Sequence, residues 1–178
     1  VAAPTVDIRA NGSNGPITIS YNTPVTLSWT SNNASSCNVT SSPNVGSWSG
    51  TSNGGVGTPN LTAPSYTFTI SCSGPGGTGA SDSVVVNISP PTADIKANGL
   101  DGTVPVNYGS SVSITWTSTN AASCTTSPNI GSGLSGSATV IPTADITYTL
   151  TCTGAGTTPD AVTLDIPPAP TANLTCNL

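Results

Sequence analysis

Residues 25–30 read VTLSWT, and residues 112–117 read VSITWT. In each stretch the apolar side chains alternate with Ser and Thr, so the Val, the Leu or Ile, and the Trp share one face of an extended strand. Strict alternation of this kind is typical of a strand with one buried face and one solvated face. Because both copies keep the alternation, they predict a two-layer β-sandwich with a tryptophan in each core.

The two stretches belong to a longer internal repeat. Residues 4–12 read PTVDIRANG and return at residues 91–99 as PTADIKANG, and residues 170–174, PTANL, begin a third copy. The simplest account is two tandem domains and the first strand of a third. Three pairs of equivalent residues are equally spaced: Asp7 and Asp94, Trp29 and Trp116, Cys37 and Cys124. The last pair, Cys72 and Cys152, is closer together, so length changes fall in the loops between these residues.

Prolines mark the expected domain boundaries. Pro90 and Pro91 separate the first two repeats, and residues 167–170 read PPAP. Proline fixes φ and favours extended polyproline geometry, so we expect stiff joints that hold the domains apart as a rod. The boundaries then give domain 1 at residues 1–90 and domain 2 at residues 91–168, with a linker and an orphan strand of the third repeat at residues 169–178.

The composition argues against several classes of function. Among 178 residues there are 7 acidic and 2 basic side chains and no His. Two cations cannot form the basic patch of a nucleic-acid-binding protein. No apolar run approaches the ~18 residues of a membrane span, so we expect no direct membrane insertion. Without His there is no Ser-His or Cys-His nucleophile, and we expect neither enzyme activity nor a cofactor.

Four of the five cysteines occupy equivalent repeat positions. Cys37 and Cys72 correspond to Cys124 and Cys152, and we predict one disulfide in each domain, because small domains need such a constraint on the unfolded chain. Reduced core thiols are the alternative, whereas a zinc site would lack a CxxC pair and any His. Disulfides imply a secreted, periplasmic or cell-surface protein. Cys176 falls where the earlier repeats have Ala, and is expected to be a buried small residue; the alternatives are a bond between chains, a bond to residues beyond this sequence, and a free thiol.

Three segments of the first repeat resemble prokaryotic immunoglobulin-like repeats: residues 25–37, VTLSWTSNNASSC; residues 66–72, YTFTISC; and residues 74–77, GPGG. The resemblance implies an all-β fold of two tandem immunoglobulin-like β-sandwich domains. It also implies a secreted or cell-surface bacterial protein in which such domains act as spacers or adhesion modules. Each Trp precedes its first Cys and lies on a different strand, so we expect the disulfide to join different strands from the antibody bridge.

These observations favour an extracellular structural module of a surface stalk, pilus-like filament or adhesin. Its expected partners are further repeats of a parent protein, or copies of itself. In head-to-tail assembly, residues 170–178, or alternatively residues 1–10, would add a strand to a sheet edge of the next molecule. The alternative function is binding of a carbohydrate or other ligand by the Trp48 loop, since Trp48 departs from the core pattern and has its counterpart near Leu134. Trp48 could instead cover its own loop.

Three polar residues are the candidates for a metal site. Asp94, Asn98 and Asp101 are weak calcium candidates near the expected domain joint, because calcium prefers oxygen ligands. The alternative is that they shape turns through local hydrogen bonds. Arg9 and Lys96 each follow an Asp by two residues, and side chains at that spacing share a face of a strand, so they are expected to pair locally or with a neighbouring domain.

Overall fold

The computed structural model describes residues 1–169, with the backbone alone at Ala80. The chain divides into unit 1 and unit 2 at the bond between Pro90 and Pro91. Regular structure within residues 1–169 is β-strand throughout, and no helix there is long and apolar enough to cross a membrane. Cys176 and the expected orphan strand lie outside the described residues.

Unit 1 is a sandwich of two sheets. The three-stranded sheet has the order β1-β3-β6, and the five-stranded sheet has the order β2-β8-β7-β4-β5. Its strands are β1 Thr5–Ala10, β2 Ile17–Ile19, β3 Thr26–Asn32, β4 Ser36–Ser42, β5 Ser47–Ser49, β6 Asn53–Gly57, β7 Ser65–Gly74 and β8 Gly77–Ile88.

Unit 2 repeats this plan without a counterpart of β5. Its three-stranded sheet has the order β13-β11-β9, and its four-stranded sheet has the order β10-β15-β14-β12. The strands are β9 Asp94–Ala97, β10 Gly102–Pro105, β11 Val112–Thr117, β12 Ala121–Ser127, β13 Ser135–Val140, β14 Ile146–Gly154 and β15 Thr157–Asp165.

One pairing in each unit is parallel, whereas the others are antiparallel. β2 runs parallel to β8, with Ile19 beside Ile88, and β10 runs parallel to β15, with Val104 beside Leu164. The chain therefore starts on one sheet with β1 or β9 and crosses to the other with β2 or β10. Two sheets that pack face to face in this strand order, antiparallel apart from that one pairing, form an immunoglobulin-like sandwich, and the predicted fold class is confirmed.

The alternating stretches form the core as predicted. In β11 the side chains of Val112, Ile114 and Trp116 are buried, while the intervening residues are exposed. Leu27 and Trp29 take the same inward positions in β3. Burying a large apolar side chain stabilises the fold by about 1.5–3 kcal/mol, so this face of each strand fixes its register.

An Asn-Gly turn ends the first strand of each unit. Asn11 and Asn98 have φ of 48° and 49°, a left-handed conformation that Asn tolerates better than most residues. The side-chain oxygen of Asn11 accepts from the Thr26 N–H, and that of Asn98 accepts from the Ser113 N–H, each at 2.9 Å. These bonds hold the turn against the neighbouring strand.

The first strand of unit 1 belongs to its own sheet. β1 pairs with β3 over its whole length, from Thr5 opposite Asn32 to Ala10 opposite Leu27. Residues 1–10 would therefore have to leave this pairing, and expose the buried Ile8, before they could add to another molecule.

Candidate functional site

A disulfide joins two neighbouring strands of one sheet in each unit. Cys37 in β4 lies directly opposite Cys72 in β7, with a Cα–Cα distance of 4.0 Å. Cys124 in β12 and Cys152 in β14 are related in the same way, at 4.1 Å. The antibody bridge instead connects the two sheets. Disulfides persist in oxidising compartments, so these bonds indicate an extracellular or similar location.

A tryptophan from the opposite sheet packs in the same core. Trp29 is 2% exposed and Trp116 is 3% exposed. The Trp29 indole N–H donates to the Gly50 carbonyl at 2.9 Å, and that of Trp116 donates to the Gly133 carbonyl at 3.2 Å. A buried indole N–H needs such an acceptor. The antibody domain has its Trp on the strand that carries the first Cys here, so the positions of Trp and Cys are exchanged.

Trp48 does not form an exposed platform. It lies on β5 opposite the fully buried Val39, and its ring centroid is 6.0 Å from that of Phe68. The indole also covers Gly46, where an added methyl group would be 3.4 Å from the ring. Trp48 therefore faces the interior and is only partly exposed, which favours the alternative that it covers its own loop and gives no support to ligand stacking.

Leu134 itself is not the counterpart of Trp48. The Ser31 hydroxyl donates to the Thr51 carbonyl, and the Ser118 hydroxyl donates to the Leu134 carbonyl, so Leu134 corresponds to Thr51. The hairpin after the first cysteine is shorter in unit 2, where the single bridge between Thr125 and Ser132 replaces the β4–β5 ladder.

An aspartate joins the two sheets of each unit. The Ile8 N–H of β1 donates to Asp82 Oδ2 of β8 at 2.8 Å, and the Ile95 N–H of β9 donates to Asp160 Oδ2 of β15 at 2.7 Å. We call this contact the aspartate clasp. Hydrogen bonds to charged groups contribute about 1.5–3 kcal/mol, so the clasp stabilises the edge where the first strand meets the last.

The sequence did not lead us to single out Asp82 or Asp160. A signal was present: Asp82 is two residues before Val84, and Asp160 is two residues before Val162. Both aspartates are thus in phase with the buried residues of their strands. A half-buried carboxylate on an inward face requires a donor, and here the donor is a backbone N–H.

The calcium candidates surround a lysine. Lys96 Nζ lies 2.8 Å from Asp94 Oδ1 and 2.9 Å from Asp101 Oδ1. The hydrogen bond to Asp94, followed by that to Asp101, raises the pKa of Lys96 above its usual range. Asn98 meanwhile holds its turn. A calcium ion would have to displace the ammonium group, and no cluster of three His, Cys or acidic side chains occurs among residues 1–169.

Arg9 pairs locally in the same way, with Nε 2.9 Å from Asp7 Oδ2. The pairing within the first strand of each unit was one of the two expected arrangements. Both pairs are substantially exposed, and exposed pairs contribute little to stability. Through these pairs, both basic side chains of residues 1–169 lie beside carboxylates.

No protein-family model matches the sequence, and no curated protein matches it. Solved structures with a similar arrangement include fibronectin(III)-like modules of Clostridium thermocellum CbhA, with a TM-score of 0.34 and 11% identity over 96% of this chain and 100% of that one. Titin domains Z1Z2 in complex with telethonin give 0.41 and 14%, over 95% and 98%. A 1.5-MDa bacterial ice-binding adhesin gives 0.30 and 16%, over 92% and 65%. These values are too low to bear on function.

Proposed function

We propose that this chain is a load-bearing structural module of a secreted or cell-surface protein, used in series in a stalk, pilus-like filament or adhesin. The observation that supports this proposal most is the parallel pairing of an early strand with the last strand in each unit, β2 with β8 and β10 with β15. The immunoglobulin-like sandwich itself hosts many functions and would not be sufficient.

Parallel pairing determines how tension acts on a unit. The chain enters each unit next to its first strands and leaves after its last strand. Pulling β10 from its N-terminal end and β15 from its C-terminal end slides the two strands past each other. The hydrogen bonds of the pair are then loaded together, whereas a hairpin pulled from one end would open one bond after another. The aspartate clasp adds a charge-assisted bond between the same regions.

The disulfides limit what tension can extend. Cys37 and Cys72 close a loop with a sequence separation of 35, and Cys124 and Cys152 close one of 28. A stretched unit therefore keeps this part of its chain folded back until the bond is reduced. For a spacer, such a loop limits the gain in length and leaves a nucleus for refolding.

Single-molecule stretching of unit 2 in two directions tests the proposal. Handles on Pro90→Cys and Pro168→Cys, with Cys176→Ser, pull first on β9 and, once it has left β11, load β10 and β15 in shear. Handles on Asn107→Cys and Pro168→Cys pull adjacent ends of the same two strands and unzip them. We expect the shear direction to require several times the force, and reduction to add the length of 28 residues at about 3.3–3.6 Å each. Equal forces in both directions would contradict a load-bearing role.

A second measurement tests the location. In cells that express the native protein, an impermeant biotinylation reagent should label it, and thiols at Cys37, Cys72, Cys124 and Cys152 should react with an alkylating agent only after reduction. Free thiols at these positions in freshly lysed cells would contradict an extracellular location.

A further inference from the structure

A cavity of about 310 Å³ lies at the end of unit 2 where β14 begins. Its walls are residues 141–146 and Tyr148, and we call it the Tyr148 cavity. Its volume falls within the range of about 300–1,000 Å³ that is usual for ligand pockets. Tyr148 is only 5% exposed. Its hydroxyl has no hydrogen-bond partner in the part of the chain that the structure describes, and burial alone raises its pKa.

In unit 1 a tyrosine of the chain itself fills the equivalent position. Tyr66 and Ile146 each lie six residues before the second cysteine of their unit, so they are counterparts, and Phe68 and Tyr148 follow them by two residues. The Tyr66 side chain is buried, and its ring stacks on that of Phe68 with the centroids 6.3 Å apart. Ile146 has no ring to stack on Tyr148, and the Tyr148 cavity adjoins both residues.

The loops that lead into these strands are equivalent as well. In unit 1 the Leu61 carbonyl accepts from the Asn22 N–H at 2.9 Å, and in unit 2 the Pro142 carbonyl accepts from the Gly109 N–H at 3.3 Å. Asn22 and Gly109 each lie seven residues before the core tryptophan of their unit, and Leu61 and Pro142 are each followed by Thr and Ala. The Thr-Ala pairs of the two loops are therefore counterparts.

These pairs differ in what their backbone N–H groups bind. In unit 1 the Tyr66 hydroxyl accepts from the N–H groups of Thr62 and Ala63. In unit 2 the N–H groups of Thr143 and Ala144 make no hydrogen bond to any of residues 1–169. Both residues line the Tyr148 cavity. Backbone N–H groups are strong donors that require an acceptor, so here the acceptor has to come from water or from a ligand.

We propose that the Tyr148 cavity binds a neutral phenol group. The ring of the ligand packs against Tyr148, as Tyr66 packs against its own neighbour in unit 1, and its oxygen accepts from the N–H groups of Thr143 and Ala144. Asp145 also lines the cavity; its carboxylate can accept the phenol proton and disfavours an anionic ligand. This ligand chemistry is chosen because unit 1 supplies the same group from its own sequence. The site does not depend on the proposed load-bearing role.

Nuclear magnetic resonance of the 178-residue chain with 4-methylphenol, which reproduces a tyrosine side chain, tests the inference. We expect a dissociation constant of about 1 mM, as is usual for a ligand of this size. The amide proton signals of Thr143 and Ala144 should move downfield on binding. Those of Thr62 and Ala63 should not move, because Tyr66 already occupies them. Toluene lacks the oxygen and should leave all four signals in place.

A variant that copies unit 1 provides a second test. Ile146→Tyr places the Tyr66 side chain at the mouth of the Tyr148 cavity and should weaken the binding of 4-methylphenol by about tenfold or more. Ala161→Tyr is the matched control, since it adds the same side chain at an exposed position on β15 and should not change the affinity. Equal responses to toluene and 4-methylphenol, or equal affinities of the two variants, would overturn the proposal. If Ile146→Tyr does not fold, the comparison of the two ligands on the unchanged chain decides.

A third ligand identifies where the phenol comes from. N-acetyltyrosinamide carries the same ring with a peptide backbone attached. If it binds at least as tightly as 4-methylphenol, the natural ligand is a tyrosine side chain of a polypeptide. If it binds about tenfold more weakly, the backbone does not fit and the ligand is a free phenolic compound. Both results support a phenol site, whereas no amide shift at Thr143 and Ala144 with either compound would refute it.

Discussion

Trp29 in unit 1 and Trp116 in unit 2 occupy equivalent places, but different groups surround them. A methyl group at Gly131 or Gly136 would collide with the Trp116 ring, so bare backbone fills the space around it. In unit 1, Asn53 lies opposite Trp29 where Gly136 lies opposite Trp116. Both units therefore keep the ring and its N–H acceptor, whereas the neighbouring hairpins are fitted to each unit separately.

The ends of the last strands show the same division. The Ile88 N–H donates to the Pro64 carbonyl at 2.9 Å, whereas the equivalent Ile166 N–H donates to Asp145 Oδ1 at 2.7 Å. Unit 1 further holds its corner with Tyr66, whose hydroxyl accepts from the N–H groups of Thr62 at 3.2 Å and Ala63 at 3.0 Å. Different groups thus satisfy the same backbone donors, as an accounting of buried polar groups requires.

Removing the disulfides should cause the largest loss and should affect both units almost equally. Replacing both cysteines by Ala in one unit lowers its free energy of unfolding by about 4 kcal/mol in the chain-entropy model, because loops of 35 and 28 residues differ little in closure entropy. Denaturant unfolding followed by Trp fluorescence measures each unit. If removal of the disulfide destabilised only one of the two units, the two disulfides would not be energetically equivalent.

Gly136→Ala should break unit 2 alone. The added methyl group overlaps the Trp116 ring, and repacking costs about 3 kcal/mol. Gly57→Ala in β6 is the control, since nothing lies within 4 Å of the added atom. Thermal unfolding should show one lowered transition for the first variant and no change for the second. If Gly136→Ala left the unfolding transition of unit 2 unchanged, the Trp116 ring would be packed loosely enough to move aside.

Breaking the aspartate clasp should destabilise either unit by about 2 kcal/mol. Asp82→Ala and Asp160→Ala each leave a backbone N–H, on Ile8 or Ile95, without its acceptor. Asp→Asn retains an acceptor oxygen and should restore more than half of the loss. Hydrogen exchange at the two N–H groups reports the effect locally. If the exchange rates of the two N–H groups were unchanged in the Ala variants, the clasp would not contribute to the stability of the units.

Alkaline pH should change the stabilities of the two units in opposite directions, by a smaller amount than the substitutions above. Burial tends to raise the pKa of Tyr66, but the N–H groups of Ala63 and Thr62 outweigh it and lower the pKa below 10.0. Burial raises the pKa of Tyr148. Unit 1 therefore gains stability as pH rises towards the unfolded Tyr value, while unit 2 loses stability above that value.

Ultraviolet titration of Tyr66→Phe and Tyr148→Phe variants assigns the two transitions. Tyr66 should ionise first, and the unfolding midpoint of unit 2 should fall relative to that of unit 1 between about pH 9 and pH 11. The reverse order of ionisation would contradict the hydrogen bonds at the unit 1 corner.

Much of the framework was predictable from the sequence because it is repeated. The alternation in β3 and β11 identified both cores, and the equivalent positions of Cys37 and Cys124 made the intradomain disulfides the leading interpretation. The glycines of residues 74–77 marked the turn between β7 and β8. Each inference used a periodicity that burial imposes on strands.

The rest depended on pairing between distant segments. Nothing in the residues of β2 or β10 shows that they run parallel to the last strand. Trp48 looked like an unattached aromatic because its partner, Phe68, is distant in the sequence and meets it only across β4. The clasp was overlooked because Asp is uncommon on an inward face, although its phase with Val84 and Val162 was visible.

The position of the two cations has a consequence for proteolysis. Arg9 lies within β1 and Lys96 within β9, and they are the two basic residues of the sequence. Enzymes that cut after Arg or Lys must bind several residues on each side of the bond as a separate extended segment. In the folded protein both cleavage sites are instead hydrogen-bonded to a neighbouring strand. Trypsin can then act only when a first strand detaches, and the two cleavage rates report the opening of each unit separately.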